Sequence, residues 1–143
     1  DATSGHGFST HAPWLPFAPE SDVRSVEAQR ADAGSILHFY RGLLALRRSS
    51  PALRSGSQEQ LIAPEHVLAW ARSHEDERRE VWINFSSQAV LVPARGRVLL
   101  SSVAHSEPRE LTGASTLAPH EAVILEASHA ARETPTAARS PSA

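Results

Sequence analysis

The sequence predicts a mainly-β fold, an antiparallel sandwich reached through one long loop and a single amphipathic helix. Three observations carry that prediction. From about residue 58 onward, short β-rich runs alternate with clusters of turn formers. Ahead of them, the stretch from Ser35 to Arg48 repeats apolar side chains at helical spacing. Residues 1–31 hold glycines, prolines and small polar residues with no sustained period.

Taken in order, residues 1–31 read as an extended surface loop that needs neighbours to order it. Asp32 is placed to cap the helix, with Ser35 in its first turn and Arg47 and Arg48 at the negative end of its dipole. Ile36, Leu37, Phe39, Tyr40, Leu43, Leu44 and Leu46 cover a face wider than one stripe, so the helix expects partners on more than one side. Gly42 costs roughly 1 kcal/mol relative to alanine in a helix interior, and Pro51 stops the helix after Ser49 and Ser50. Strands are expected over residues 58–62, 67–73, 80–85, 89–92, 98–101, 115–117 and 122–126. Val81, Ile83 and Phe85 alternate with Trp82 and Asn84, and the charged residues 74–79 suit a hairpin loop. Many short strands with regular turns point to an antiparallel sandwich. Residues 128–143 are small, polar or proline, too poor in apolar surface to offset ordering entropy, and are expected to be disordered.

Composition removes several functions. The chain has 143 residues, 41% hydrophobic, with a net charge of -2, which leaves no electrostatic footprint for nucleic acid. No stretch reaches the length of a membrane span and no signal-peptide pattern opens the chain. There is no cysteine, hence no disulfide, thiolate chemistry or cysteine-based zinc site. Eight histidines lack ligand spacing on one element, so no metal is expected. Gly5-His6-Gly7 has no preceding strand and Thr10 stands where a dinucleotide fingerprint needs glycine, so no cofactor is expected either. No Gly-x-Ser-x-Gly elbow is present. The absence of methionine and the start at Asp1 lead us to expect a fragment or processed product. All the basic residues are arginine, which is compatible with a GC-rich bacterial coding sequence.

Several motifs then fall in a fixed order. Gly7-Phe8-Ser9 and Pro13-Trp14-Leu15-Pro16 precede Val26-Glu27-Ala28-Gln29; Asp32, Ser35-Ile36-Leu37, Phe39-Tyr40-Arg41, Leu43, Leu46-Arg47 and Pro51-Ala52-Leu53 follow. Further on come Val67-Leu68-Ala69-Trp70, Val81-Trp82-Ile83-Asn84-Phe85-Ser86 and Leu117-Ala118-Pro119-His120-Glu121-Ala122. From about residue 7 to residue 126 this order resembles the C-terminal portion of glycoside hydrolase family 13, the α-amylase superfamily, in its α-glucosidase and oligo-1,6-glucosidase branch. The resemblance departs at His120, where the family usually carries an aromatic such as tyrosine.

The resemblance implies the last loop and helix of a (β/α)8 barrel over residues 1–50, a C-terminal antiparallel Greek-key β-sandwich over 51–127, and the tail at 128–143. The parent it implies hydrolyses or transfers α-glucosyl units of oligo- or disaccharides with retention, in the cytoplasm, with no cofactor. In the family, the aspartate nucleophile, the glutamate acid/base and a second aspartate end the fourth, fifth and seventh barrel strands, ahead of the region matched here. No residue of this chain is therefore carried over as catalytic, and the chain alone is expected to be inactive. Its expected partners are the catalytic barrel of the same parent and, through it, the sugar; neither nucleic acid nor membrane is expected.

Phe8 and Trp14 are the candidate substrate-binding residues, because loops after barrel strands form the active-site face and aromatic rings stack on sugars; packing is the competing role. Glu27 and Asp32 are expected to serve the helix dipole, Trp70 and Trp82 to lie in core or sheet faces, and Asn84, although in a glycosylation pattern, to be structural. Two other readings remain: a stand-alone carbohydrate-binding sandwich with Trp70 or Trp82 as a solvent-facing platform, and a non-catalytic interaction module akin to ancillary transporter subunits.

Overall fold

In the computed structural model, residues 1, 3, 5–103 and 109–127 are described. Three helices lead: α1 (Val26–Ala31), α2 (Ile36–Ser49) and α3 (Pro51–Ser55). Eight strands follow, β1 (Ser57–Gln60), β2 (Val67–His74), β3 (Glu77–Asn84), β4 (Val90–Val92), β5 (Arg95–Ser101), β6 (Glu110–Thr112), β7 (Ser115–Leu117) and β8 (Ala122–Ala127).

The helical region departs from expectation in three places. The loop is interrupted by α1, which Ser25 starts by accepting a hydrogen bond from the Ala28 amide. Ser35, not Asp32, occupies the N-cap of α2. Asp32 ends α1 and accepts from the Gly34 amide, because its short carboxylate closes a local turn two residues ahead and cannot reach past Ser35. The missing side-chain cap on α2 is supplied by Gln29, whose Oε1 accepts from the Leu37 amide at 3.0 Å while its backbone oxygen accepts from Ser35 Oγ at 2.7 Å. Pro51 does end α2, yet it also sits at the first position of α3, where its missing N–H costs nothing. Ser50 serves both helices: its amide donates to the Leu46 carbonyl and its Oγ accepts from the Leu53 amide.

The strands form a six-stranded sheet in the order β1-β2-β3-β8-β5-β6 and a two-stranded sheet of β4 and β7, with every pairing antiparallel. The hairpin between β2 and β3 is tighter than expected. His74 pairs with Glu77, so only Glu75 and Asp76 form the turn, and the charged run belongs to the ladder. Glu75 takes the left-handed conformation at φ 51. Phe85 falls just past β3 and is exposed, while β6 was invisible to the sequence pattern because only Leu111 of its three residues is apolar and buried.

One buried cluster joins the two sheets. Val92 of β4 and Leu117 of β7 meet Ala69 of β2, Trp82 of β3 and Val123 and Leu125 of β8. Full burial of each large member stabilises by about 1.5–3 kcal/mol, and the Trp82 indole keeps its polar edge satisfied by donating to Glu80 Oε2 at 3.1 Å. Trp82 and Asn84 thus face the core, and Val81 and Ile83 face the opposite side, where the helices lie. A register shift between Val98 and Leu100 of β5 keeps Val98 opposite Leu125 and sets Leu100 opposite Ile124. At Gly56 the helices meet the sheet so closely that a Cβ there would stand 2.6 Å from the Ser73 carbonyl oxygen. The expectation for residues 128–143 lies outside the described residues.

Candidate functional site

Two stripes of α2 define its surface. Phe39, Leu43 and Arg47, spaced i, i+4, i+8, line a groove over the six-stranded sheet with Leu53 of α3. Its floor is Trp70, Val81, Ile83, Leu100 and Ile124, and it encloses about 320 Å³. The second stripe, Ile36, Tyr40 and Leu44, has the same spacing and is 63%, 55% and 49% exposed. The broad apolar face expected of this helix is therefore covered on one side and bare on the other. Val23 and Val26 of the preceding segment are exposed as well, extending the apolar character of this region.

The candidate sugar-stacking residues stand apart from this groove. Phe8 is 93% and Trp14 91% exposed, so neither packs against the described residues of this chain. The loop is held at His6 instead, whose Nδ1 lies 3.0 Å from the Asp1 carbonyl oxygen, whose Nε2 lies 3.0 Å from Ser21 Oγ, and whose ring meets Phe17 edge-on at 4.3 Å. Trp82 is buried and Trp70 half-buried beneath α2, so neither offers the solvent-facing platform that a stand-alone carbohydrate-binding module needs.

Glycoside hydrolysis in most families needs two carboxyl groups flanking an open cleft. Among the described residues, Glu121, Glu77 and Glu126 are committed to other partners. Glu121 is buried, accepting from Ser101 Oγ at 2.9 Å, Arg109 Nη1 at 2.5 Å and the Ala118 amide at 2.8 Å. Glu77 of β3 accepts from the Ala52 amide in the first turn of α3 at 2.7 Å and pairs with Arg79 at 2.8 Å, latching the helix to the sheet. Burial opposes charge on Glu77, but the Ala52 amide, the Ser50 hydroxyl, Arg79 and His74 outweigh it and hold its carboxyl below the ordinary range. Hydrogen bonding from Arg97 does the same for Glu126, against a desolvation penalty and with charge support from Arg97 and Arg79. Glu27 and Asp32 lie at α1, in its first turn and at its end. Among the described residues no three His, Asp or Glu side chains gather so as to hold a metal ion, and no helix is long and apolar enough to cross a membrane.

Asn84 answers the glycosylation pattern. Its Nδ2 donates to the Gln88 and Ala118 carbonyls at 2.7 and 2.9 Å, and its Oδ1 accepts from the Ser86 amide and hydroxyl. It is 1% exposed and structural. His120 is exposed in a left-handed turn, with its amide donating to the Ser86 carbonyl, so the aromatic usual at this place in the family would not be buried against the core here.

Among the described residues, the chain is a helical edge over an antiparallel β unit with one helix stripe uncovered. The chain is similar to the C-terminal region of the α-glucosidases and oligo-1,6-glucosidases of glycoside hydrolase family 13. A probable α-glucosidase of Rhizobium meliloti is 34% identical over 109 residues, covering 71% of this chain and 20% of that protein. The glucan 1,6-α-glucosidase of Streptococcus pneumoniae is 28% identical over 88% of this chain and 24% of its own length. Among solved structures, the trehalulose synthase of Pseudomonas mesoacidophila superposes with a TM-score of 0.79 at 25% identity, over 90% of this chain and 24% of that one. The chain thus spans between 20% and 24% of the length of these three relatives. No family model matches it.

Proposed function

We propose that residues 1–50 are the last loop and helix of a (β/α)8 barrel and residues 51–127 the C-terminal Greek-key β-sandwich of an enzyme that hydrolyses or transfers α-glucosyl units with retention. The observation that carries this reading is the pair of stripes on α2. Phe39 and Leu43 rest on the sheet, while Ile36, Tyr40 and Leu44 present a second apolar surface at the same spacing. Helices of such barrels form an outer ring whose inner side packs on the strands, and the bare stripe has the width and chemistry for that contact. In this reading the sandwich braces the helix, the barrel of the same cytoplasmic protein supplies the carboxyl groups, and Phe8 and Trp14 reach toward the sugar from the active-site face. This chain's own contribution is structural.

Turnover of an aryl α-glucoside by the purified 143-residue chain tests the reading. None above the buffer rate is expected, and a rate that survives removal of host glucosidases overturns it. In the complete coding sequence, an acidic residue is expected at the ends of the fourth, fifth and seventh barrel strands ahead of this stretch.

A further inference from the structure

The loop that carries Phe8 and Trp14 starts from a turn in a costly conformation. His6 and Gly7 take φ 50 and φ 72, and the Phe8 amide donates to the Gly5 carbonyl at 2.8 Å, so the two are the central pair of a β-turn with both φ positive. Glycine adopts that conformation freely and suits position 7. At position 6 a side chain makes it unfavourable, and glycine, asparagine or aspartate is the usual occupant of such a turn. A backbone outlier of this kind persists only where its surroundings over-determine it.

At His6 those surroundings are contacts of the ring. Nδ1 lies 3.0 Å from the Asp1 carbonyl oxygen, which can only accept, so the neutral imidazole carries its proton there and Nε2 accepts from the Ser21 hydroxyl at 3.0 Å. Phe17 meets the same ring edge-on at 4.3 Å. One imidazole thereby joins residues 1, 17 and 21, points well separated along the segment. Phe8 leaves the turn directly after Gly7, and Trp14 lies within the stretch that the contacts at 17 and 21 close into a loop. Both aromatics are almost fully exposed, so their place is set by the backbone that carries them. A loop already held in its binding arrangement gives up less conformational freedom when a ligand arrives.

We infer that His6 is a positioning residue for substrate binding, holding residues 7–20 so that Phe8 and Trp14 meet the sugar in one arrangement. This role rests on the reading above that the two aromatics face the sugar.

The test is made in the complete enzyme with an aryl α-glucoside as substrate. Phe8→Ala with Trp14→Ala probes the sugar contact itself and is expected to raise KM about tenfold. His6→Gly keeps a residue that suits the turn and removes only the ring. It is expected to raise KM about fivefold, with kcat altered by less than about twofold. Its melting temperature stays within about 2 °C, because opening of this loop is local. In the enzyme that already lacks both aromatic rings, His6→Gly changes KM no further, since its effect passes through them. Ser21→Ala, which removes one contact of the three, gives a smaller rise. A KM unmoved by His6→Gly, while the aromatic pair raises it, overturns the inference and leaves the reading of the aromatics standing. So does an equal rise from His6→Gly with and without the aromatic rings, or a lowered kcat at level KM. A melting temperature lowered by more than about 5 °C in His6→Gly makes the ring a support of the fold and also overturns it. A KM unmoved by the aromatic pair overturns both.

Discussion

Asn84 shows how little latitude a buried amide leaves. All four of its hydrogen-bonding positions are used, two donors on carbonyls and two lone pairs on Ser86. Asn84→Asp keeps the shape but turns both donors into lone pairs facing the Gln88 and Ala118 carbonyls. Such a change costs roughly 2–4 kcal/mol, read as a lowered urea midpoint with an unchanged slope. Asn84 in the enzyme expressed in a glycosylating host is expected to stay unmodified, by mass. Glu77 and Glu126 set the acid limit. Their carboxyls are held below the ordinary glutamate value of 4.5. The unfolded chain therefore takes up protons first as the pH falls, so the stabilisation is complete above 4.5 and is lost through the lowered folded values. The urea midpoint is expected to be level from neutral pH down to that region and then to fall. Glu77→Gln flattens the fall and costs about 1 kcal/mol at neutral pH, because the Ala52 amide and Arg79 lose a charged acceptor.

At the scale of elements, α2 carries a glycine that its helix does not need. A Cβ on Gly42 would meet only Leu100 Cδ1, at 3.3 Å. Leu100 borders the groove, so its flexible end has room to move aside. Gly42→Ala is therefore expected to stabilise the chain by about 0.5–1 kcal/mol through helix propensity, seen as a raised melting temperature. An equal loss instead would mean that the groove wall is rigid. The α2 span itself was legible from its apolar period, as were the long strands, because Trp82, Val123 and Leu125 sit at alternating positions. Its cap was not. Asp32 and Ser35 are equally good capping residues by type, but the chain turns at Gly34, and the Leu37 amide of α2 is met by Gln29 across a corner that local sequence does not describe. The same limit hid β6, whose identity comes from pairing with β5 through Leu111 opposite Gly96 and not from its own pattern. Of the candidate sugar contacts, Phe8 and Trp14 were legible as exposed aromatics in a loop, whereas the groove needed Trp70, Val81 and Phe39 brought together from three elements.

For the whole molecule, the decisive asymmetry is that one side of α2 has found its partner and the other has not. Ile36, Tyr40 and Leu44 remain about half exposed or more, at the same spacing as the covered stripe. Phe8, Trp14, Val23 and Val26 add exposed apolar surface from the preceding loop and α1. A helix stripe of exposed apolar side chains at this spacing marks an interface. The isolated chain is accordingly expected to bind an environment-sensitive hydrophobic dye and to self-associate with concentration in sedimentation velocity. Ile36→Glu with Leu44→Glu abolishes both while changing the stability of the isolated chain by less than about 0.5 kcal/mol per site, since neither side chain is buried there. In an enzyme that carries the barrel, the same two substitutions place carboxylates in a dry contact and are expected to cost about 3 kcal/mol or more together. A dye-silent monomer, or a pair of substitutions that weakens the isolated chain as much as the whole enzyme, would show that α2 completes its packing within these 143 residues and has no barrel to face.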